Sequence, residues 1–240
     1  MKIGVISDVH ANIHALRAVW NALVVERGVE KVICLGDLVG YGASPLEVIE
    51  WLKQNNVATT LGASDARIAF ELTAGGEHRQ GVGDETLEWT KTLLGDEERH
   101  YLRSLKVTER TMTPVGRMRY FHGSPEDPEE RLDLRGSPVF LDEFLQKLNC
   151  SVILCGGTHI PFIRRTESGL FVNPGSVGLS LNGEPGADCA LLEFNESQLE
   201  VELLKIPYDF HAAAFDILTW GLPPVIADVI KTGSAKPQTA

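Results

Sequence analysis

The sequence predicts an α/β protein whose early strands lie side by side in parallel. Short apolar runs rich in β-branched residues, Lys2 to Ser7, Lys31 to Leu35 and Val57 to Leu61, recur with helical segments between them. Alternation of this kind builds a sheet covered by its own crossover helices. In addition, clusters of Asp, His and Gly stand directly after these runs, where the loops of an open α/β sheet converge on one crevice.

Each element has a local reason. After the first strand the apolar residues Leu16, Val19, Trp20, Leu23 and Val24 recur at helical spacing, and Gly28 closes the segment. The second strand ends at Gly36-Asp37. Ser44 then serves as N-cap of a further helix, with Pro45 in its first position and Glu47 in its first turn. Residues 65–106 break the rhythm. They read as two helices, Asp84 to Leu94 and Asp96 to Leu105, with the glycine-rich segments Thr73-Ala74-Gly75-Gly76 and Gly81-Val82-Gly83 as joints. We expect a helical insertion over the strand ends, with a core too small for a separate domain.

Val107 to Met112 and Arg117 to Phe121 flank the turn signal Thr113-Pro114-Val115-Gly116, and Ser151 to Cys155 is a buried strand. Phe162 to Arg165, Leu170 to Val172, Cys189 to Phe194 and Leu199 to Leu204 alternate in a way that suits an antiparallel second sheet. A last helix runs from about Asp209 to Trp220. The expected organisation is one domain over residues 1–231 carrying the insertion at 65–106, with a frayed tail at 232–240.

Composition narrows the function classes. The 240 residues are 43% hydrophobic and 23% charged, as in soluble globular proteins, and carry a net charge of -11. An acidic surface repels a phosphate backbone, which argues against a broad nucleic-acid footprint. A small phosphate ester in a metal-lined cleft stays compatible, since a divalent ion dominates its local field. No apolar window is long enough for a membrane span, and the amino terminus lacks the features of a signal peptide. Cys34, Cys150, Cys155 and Cys189 show no CxxC spacing and read as reduced thiols of a cytoplasmic protein.

Four clusters carry candidate chemistry: Asp8-Val9-His10, Gly36-Asp37, Phe121-His122-Gly123-Ser124, and Gly156-Gly157-Thr158-His159 shortly followed by Asn173-Pro174-Gly175-Ser176. An Asp-x-His spacing on an extended backbone puts carboxylate and imidazole on one side, where both can grip one ion. Each cluster alone is weak, because a lone Asp at a strand end is usually a turn or cap residue. Four strand ends that all present Asp or His, three of them in clusters with glycine, are poorly explained by coincidence.

With Leu61-Gly62-Ala63-Ser64-Asp65 added, these motifs resemble, in order and spacing, the calcineurin-like metallophosphoesterases, closest to their small bacterial and archaeal phosphodiesterase branch. The resemblance runs from Met1 to about Gly221. It implies a four-layer αββα sandwich of two sheets flanked by helices, and a cofactor of divalent manganese, iron or zinc. It further implies that Asp8, His10, Asp37 and His159 hold a first ion, that Asp37 bridges to a second, and that His122 binds the second. The sequence departs from the family at three positions. Ala63 and Ser64 stand where an Asn ligand and a phosphate-contacting His are usual, and Gly157 stands where another His ligand is usual. The second site is therefore expected to be weak.

The function expected is a metal-dependent phosphoesterase, a phosphodiesterase by branch, in which a metal-bound hydroxide attacks a small phosphate ester. Asp37 and Asn12 are the candidate catalytic residues, with Asn12 in reach of the phosphate. Arg67 and His78 could also reach it, or be solvated charges of the insertion. Asn173, Gly175, Ser176 and Ser124 are either site or turn residues. The alternative is a catalytically weak or inactive homologue that binds metal or phosphate as a sensor or scaffold. The insertion could shape a substrate pocket or the contact of a homo-oligomer.

Overall fold

The computed structural model describes residues 1–72, 81–130, 138–196 and 198–235. Its first sheet contains β1 (Lys2–Ile6), β2 (Lys31–Cys34), β3 (Ala58–Thr59), β9 (Ala187–Phe194) and β10 (Leu199–Ile206), in the order β10-β9-β1-β2-β3. Its second contains β4 (Thr108–Thr113), β5 (Gly116–Phe121), β6 (Val152–Leu154), β7 (Phe162–Arg165) and β8 (Leu170–Asn173), in the order β4-β5-β6-β8-β7. β1, β2 and β3 are parallel, as the alternation predicts, and β5, β6 and β8 form a second parallel core.

The two-residue period of each strand builds the layers. Ile3 and Val5 of β1 meet Met118, Tyr120, Val152, Leu154 and Val172 in a core between the sheets. Ile6 faces the other way, into a core formed with helices α1 (Ile13–Trp20) and α2 (Pro45–Gln54). On the far side, Phe121, Ile153 and Phe171 pack on Leu141 and Leu145 of α6 (Pro138–Leu148). The result is the αββα sandwich. Both sheets are covered on both faces, so their central strands are continuously apolar.

The last two strands differ from expectation. β9 and β10 are an antiparallel pair, yet they belong to the first sheet, where β9 lies antiparallel to β1. The physical reason is burial. Seven of the eight β9 residues are buried, so both faces of the strand need cover, and a place between β1 and β10 provides it. The alternation showed an antiparallel pair but not which neighbour it joins. Three helices were not read from the sequence: α3 (Ala63–Ala69), α6 and α8 (Pro224–Thr232). α8 carries overlooked signals, Pro224 at its first position and Gly233 as a left-handed cap.

Within the insertion, α4 (Val82–Leu93) and α5 (Asp96–Ser104) form as predicted, and Leu87, Leu94 and Leu102 join the same core as α1 and α2. The segment 73–76 lies outside the described residues. Of the predicted tail, Thr232 ends α8, and Gly233 is tied at both ends: its N–H donates to the Val229 carbonyl and its carbonyl accepts from Gly183. Residues 236–240 lie outside the described part. The helix α7 (Phe210–Thr219) forms where the sequence predicts a last helix, over about Asp209 to Trp220, but α8 follows it, and α7 packs on α1 and α8.

One close approach fixes the strand ends relative to each other. The Gly178 N–H donates to the Asp8 carbonyl at 3.0 Å, and a Cβ at Gly178 would lie 1.9 Å from the Val9 carbonyl oxygen. Gly178→Ala should therefore destabilise the protein by about 1–3 kcal/mol, as forced overpacking does. Gly81→Ala, whose Cβ meets nothing within 4 Å, should stay within about 0.5 kcal/mol of the parent. Paired urea titrations check this, and equal midpoints for the two variants would refute the steric account.

Candidate metal centre

The loops after β1, β2, β5 and β6 converge at one end of the sandwich and bring all five predicted ligands together. The loop after β1 carries Asp8 and His10, and the loop after β2 carries Asp37. Backbone hydrogen bonds zip these two loops: Asp8 N–H to Gly36 O at 3.0 Å, His10 N–H to Asp37 O at 2.9 Å, and Ala11 N–H to Leu38 O at 2.7 Å. Four of the five ligand residues hold left-handed backbone, with φ of 52° at Asp8, 46° at His10, 56° at Asp37 and 57° at His159. Such conformations cost non-glycine residues roughly 1–3 kcal/mol each and persist only where the surroundings impose them.

The three imidazoles share one arrangement. His10 Nδ1–H donates to Val39 O at 3.1 Å, His122 Nδ1–H to Leu35 O at 3.1 Å, and His159 Nδ1–H to Leu179 O at 2.7 Å. A backbone acceptor at Nδ1 fixes the tautomer and turns the Nε2 lone pair inward, as metal-binding histidines require. The Nε2 atoms of His10 and His159 lie 3.1 Å apart. Two ligands about 2.1 Å from one tetrahedral ion lie about 3.4 Å apart, so a divalent cation suits this spacing.

Asp8 is fully buried. Its Oδ2 accepts from the Gly157 N–H at 3.1 Å, whereas its Oδ1 has no hydrogen-bond partner. This oxygen lies 3.1 Å from His159 Nε2 and 3.9 Å from both His10 Nε2 and His122 Nε2. A buried anionic oxygen with three imidazole Nε2 atoms around it, each able to ligate once deprotonated, is what a cation would complete. Two candidate ligand groups result, Asp8-His10-His159 and Asp8-Asp37-His122. Asp8 belongs to both. Asp37 Oδ2 lies 3.7 Å from His10 Nε2 and 3.4 Å from His122 Nε2, so it too stands between the groups. Sequence reasoning had given the bridging place to Asp37 alone.

The remaining candidates separate into wall and support. Asn12 does not reach the cleft, which corrects its predicted contact with phosphate. Its Oδ1 caps α1 by accepting from Ala15 N–H at 3.1 Å, and its Nδ2 donates to Gly178 O and Tyr208 Oη. Asn173 and Ser176 are supports as well: Asn173 Nδ2 donates to Gly156 O, and Ser176 Oγ donates to Asp8 O at 2.8 Å. Ser124 closes a turn by accepting from the N–H groups of Glu126 and Asp127. His14 is tied to Asp216 at 2.7 Å, His100 is exposed on α5, and His78 lies outside the described residues.

The three departures all line the cleft. Ala63 offers a methyl group and Ser64 a hydroxyl, while the Ser64 N–H donates to Asp37 Oδ1 at 2.7 Å. Gly157 has φ of +73°, and a Cβ there would lie 3.2 Å from His122 Nε2. A side chain at this position would thus point at the Asp8-Asp37-His122 group, where glycine leaves space. Sequence reasoning missed Tyr41, Glu129 and Asp65. Tyr41 and Glu129 line the cleft, and the Tyr41 ring meets His10 edge-on at 4.8 Å. Asp65 is buried and accepts from the N–H groups of Leu38, Val39 and Gly62, which ties α3 to the Asp37 loop. Its place three residues after Gly62, at the start of a helix, was a readable capping signal.

Electrostatics follow from this crowding. Burial raises the Asp8 and Asp37 carboxyls, but the imidazoles beside them, His159 and His122 at Asp8 and His122 and His10 at Asp37, outweigh it and hold both below the usual range. Burial lowers His122, but Asp37 and Asp8 bring it up to about 10. His159 is likewise raised, by Asp8 against burial. At His10 burial wins over Asp37, and the pKa falls to about 4. At pH 7 His122 is therefore protonated in the metal-free protein, and a metal must displace that proton. Loading with a divalent ion at pH 7 should release about one proton or more per chain, with affinity rising until pH nears 10. Calorimetry in two buffers of different ionisation enthalpy measures this, and an identical heat in both would contradict it.

Comparison with known proteins agrees with the geometry. Residues 1–197 match the calcineurin-like phosphoesterase superfamily domain. The chain is 29% identical over 246 residues to the uncharacterized protein MJ0912 of Methanocaldococcus jannaschii, covering 96% of this chain and 98% of that one. Among solved structures, a metallophosphoesterase from Sphaerobacter thermophilus superimposes with a TM-score of 0.78 at 26% identity, over 97% of this chain and 100% of the other. The hypothetical protein PH1004 from Pyrococcus horikoshii OT3 does so with a TM-score of 0.84 at 25% identity, over 97% and 98%. No described helix is long and apolar enough to cross a membrane. The family implies a divalent metal cofactor, the buried groups around Asp8 could hold it, and the chain belongs to the calcineurin-like phosphoesterase superfamily.

Proposed function

We propose that this protein is a metal-dependent phosphodiesterase acting on small phosphate esters. One observation carries the proposal: the buried Oδ1 of Asp8, without a hydrogen-bond partner, sits among the Nε2 atoms of His10, His122 and His159, and these three histidines line an open cleft. Donors of mixed imidazole and carboxylate type suit manganese, iron or zinc. A divalent ion bound there supplies Lewis acidity and lowers the pKa of its water towards neutrality. The protein's own part is to hold the ligands rigidly. Asp8, His10 and His159 form the stronger group, and Asp37 and His122 extend it.

Diesters are favoured over monoesters by charge. The cleft walls include Asp37, Glu129 and Glu130, and Arg67 is the only Lys or Arg among the described lining residues. A chain of net charge -11 accommodates a monoanionic diester at lower electrostatic cost than a dianionic monoester. We place the reaction in the cytoplasm, supported by four cysteines that are buried free thiols. A metal- or phosphate-binding homologue without turnover is the competing reading. It is favoured by Gly157, Ala63 and Ser64, which leave the wall beside His122 without a strong ligand.

Hydrolysis of a bis-p-nitrophenyl phosphodiester with added manganese tests the proposal. The rate should depend on the metal, exceed that on the matching monoester, and fall at least about 100-fold in Asp37→Asn. Wild-type rates no higher than those of Asp37→Asn would give the non-catalytic reading preference.

A further inference from the structure

We infer that Arg67 is a substrate-binding residue whose guanidinium exchanges the Glu129 carboxylate for a non-bridging oxygen of the phosphate ester. The inference deepens the phosphoesterase reading and rests on it.

Position is the first support. Arg67 lies on α3, whose first residues Ala63 and Ser64 form the cleft wall beside Asp37. Ser64 and Arg67 are three residues apart, which places them on one helix face, and both line the cleft. Besides the histidines at the metal centre, an anion entering this acidic cleft thus meets one described basic side chain, Arg67.

The second support is what holds the guanidinium. Its Nε–H donates to Glu129 Oε1 at 2.8 Å, from the loop after β5, and its Nη1 donates to Asp84 Oδ1 at 3.1 Å, from the first turn of α4. A guanidinium has five N–H donors. Two are used and three have no acceptor among the described residues. The group is therefore oriented but unsaturated, as suits an anion-binding arginine. The carboxylate of Glu129 stands in for an anion, since it presents a negative oxygen to this guanidinium and lines the same cleft.

A purely structural strut is the plain alternative. Arg67 is 32% and Glu129 44% exposed at the side chain. Ion pairs that exposed add little to stability, and a strut so weak does not explain why the one described Lys or Arg of the cleft is set in its wall. The two accounts differ in sign. If Arg67 binds substrate, Glu129 competes with it, and removing the Glu129 charge improves binding. If Arg67 is a strut, breaking the pair from either end has the same effect.

The test uses the full chain with manganese, comparing wild type, Arg67→Gln, Arg67→Lys and Glu129→Gln. Two readouts are taken: KM and kcat on the diester, and the binding of inorganic phosphate by calorimetry, with metal and with EDTA. Arg67→Gln should raise KM and the phosphate Kd roughly tenfold or more, with a smaller change in kcat, and Arg67→Lys should restore part of the loss. Glu129→Gln should lower both about threefold. Phosphate binding by Arg67→Gln within about twofold of wild type, or weakening in Glu129→Gln, would overturn the inference. If wild type hydrolyses the diester but Arg67→Gln does so equally well, only this inference fails. If wild type has no turnover, the phosphoesterase reading fails, and phosphate binding alone decides the role of Arg67.

Discussion

The structure depends on keeping the Asp8 carboxylate ionised and fully buried at the end of the central strand β1. Taking a carboxylate out of water costs several kcal/mol unless charges and donors replace the solvent. Here one backbone N–H and three imidazoles take its place, and each imidazole is held by a backbone carbonyl behind it. The carbonyls of Leu35 and Val39 come from the loop after β2, and that of Leu179 from a segment far along the chain. The fold is thus assembled so that several loops close on one buried charge.

Strain at this point is distributed and repaid by neighbouring contacts. Left-handed backbone at Asp8, His10, Asp37 and His159 is disfavoured locally, and cross-loop hydrogen bonds impose it. Residues remote in sequence complete the support: Ser176 holds the Asp8 carbonyl, Asn173 holds the loop of Gly156, and Asp65 holds Leu38 and Val39. A site built in this way is organised before any ligand arrives, which is the condition for electrostatic work in a cleft. Beyond His122 the wall is made of Gly157, Ala63 and Ser64, so the support is dense around one ligand group and thin beside the other.

The sandwich keeps this arrangement stiff. β1 is buried on both faces, between the core shared by the two sheets and the core under α1 and α2. The insertion helices share the second of these cores through Leu87, Leu94 and Leu102. Asp84 on α4 therefore reaches Arg67 from an element packed with the main core, not from an independent lobe.

The sequence by itself determined the local features. The β-branched runs of β1 and β2, the Pro45 start of α2 and the α4–α5 pair are set by short-range sterics and periodicity. Asp and His at four strand ends marked a candidate site by a local pattern, and the resemblance of those motifs to a known family implied the five ligands. Only the tertiary structure decided matters that join distant segments. β9 was readable as a strand, but its place beside β1 follows from burial on both faces. Asn12 stands beside the Asp8-Val9-His10 cluster, yet its side-chain amide is used in three hydrogen bonds, to α1, Gly178 and Tyr208, the last two far along the chain. Tyr41, Glu129 and Arg67 enter the cleft only through packing of α3, α4 and the loop after β5. Non-local hydrogen bonds and packing have no period in the sequence, so they become visible only once the chain is folded.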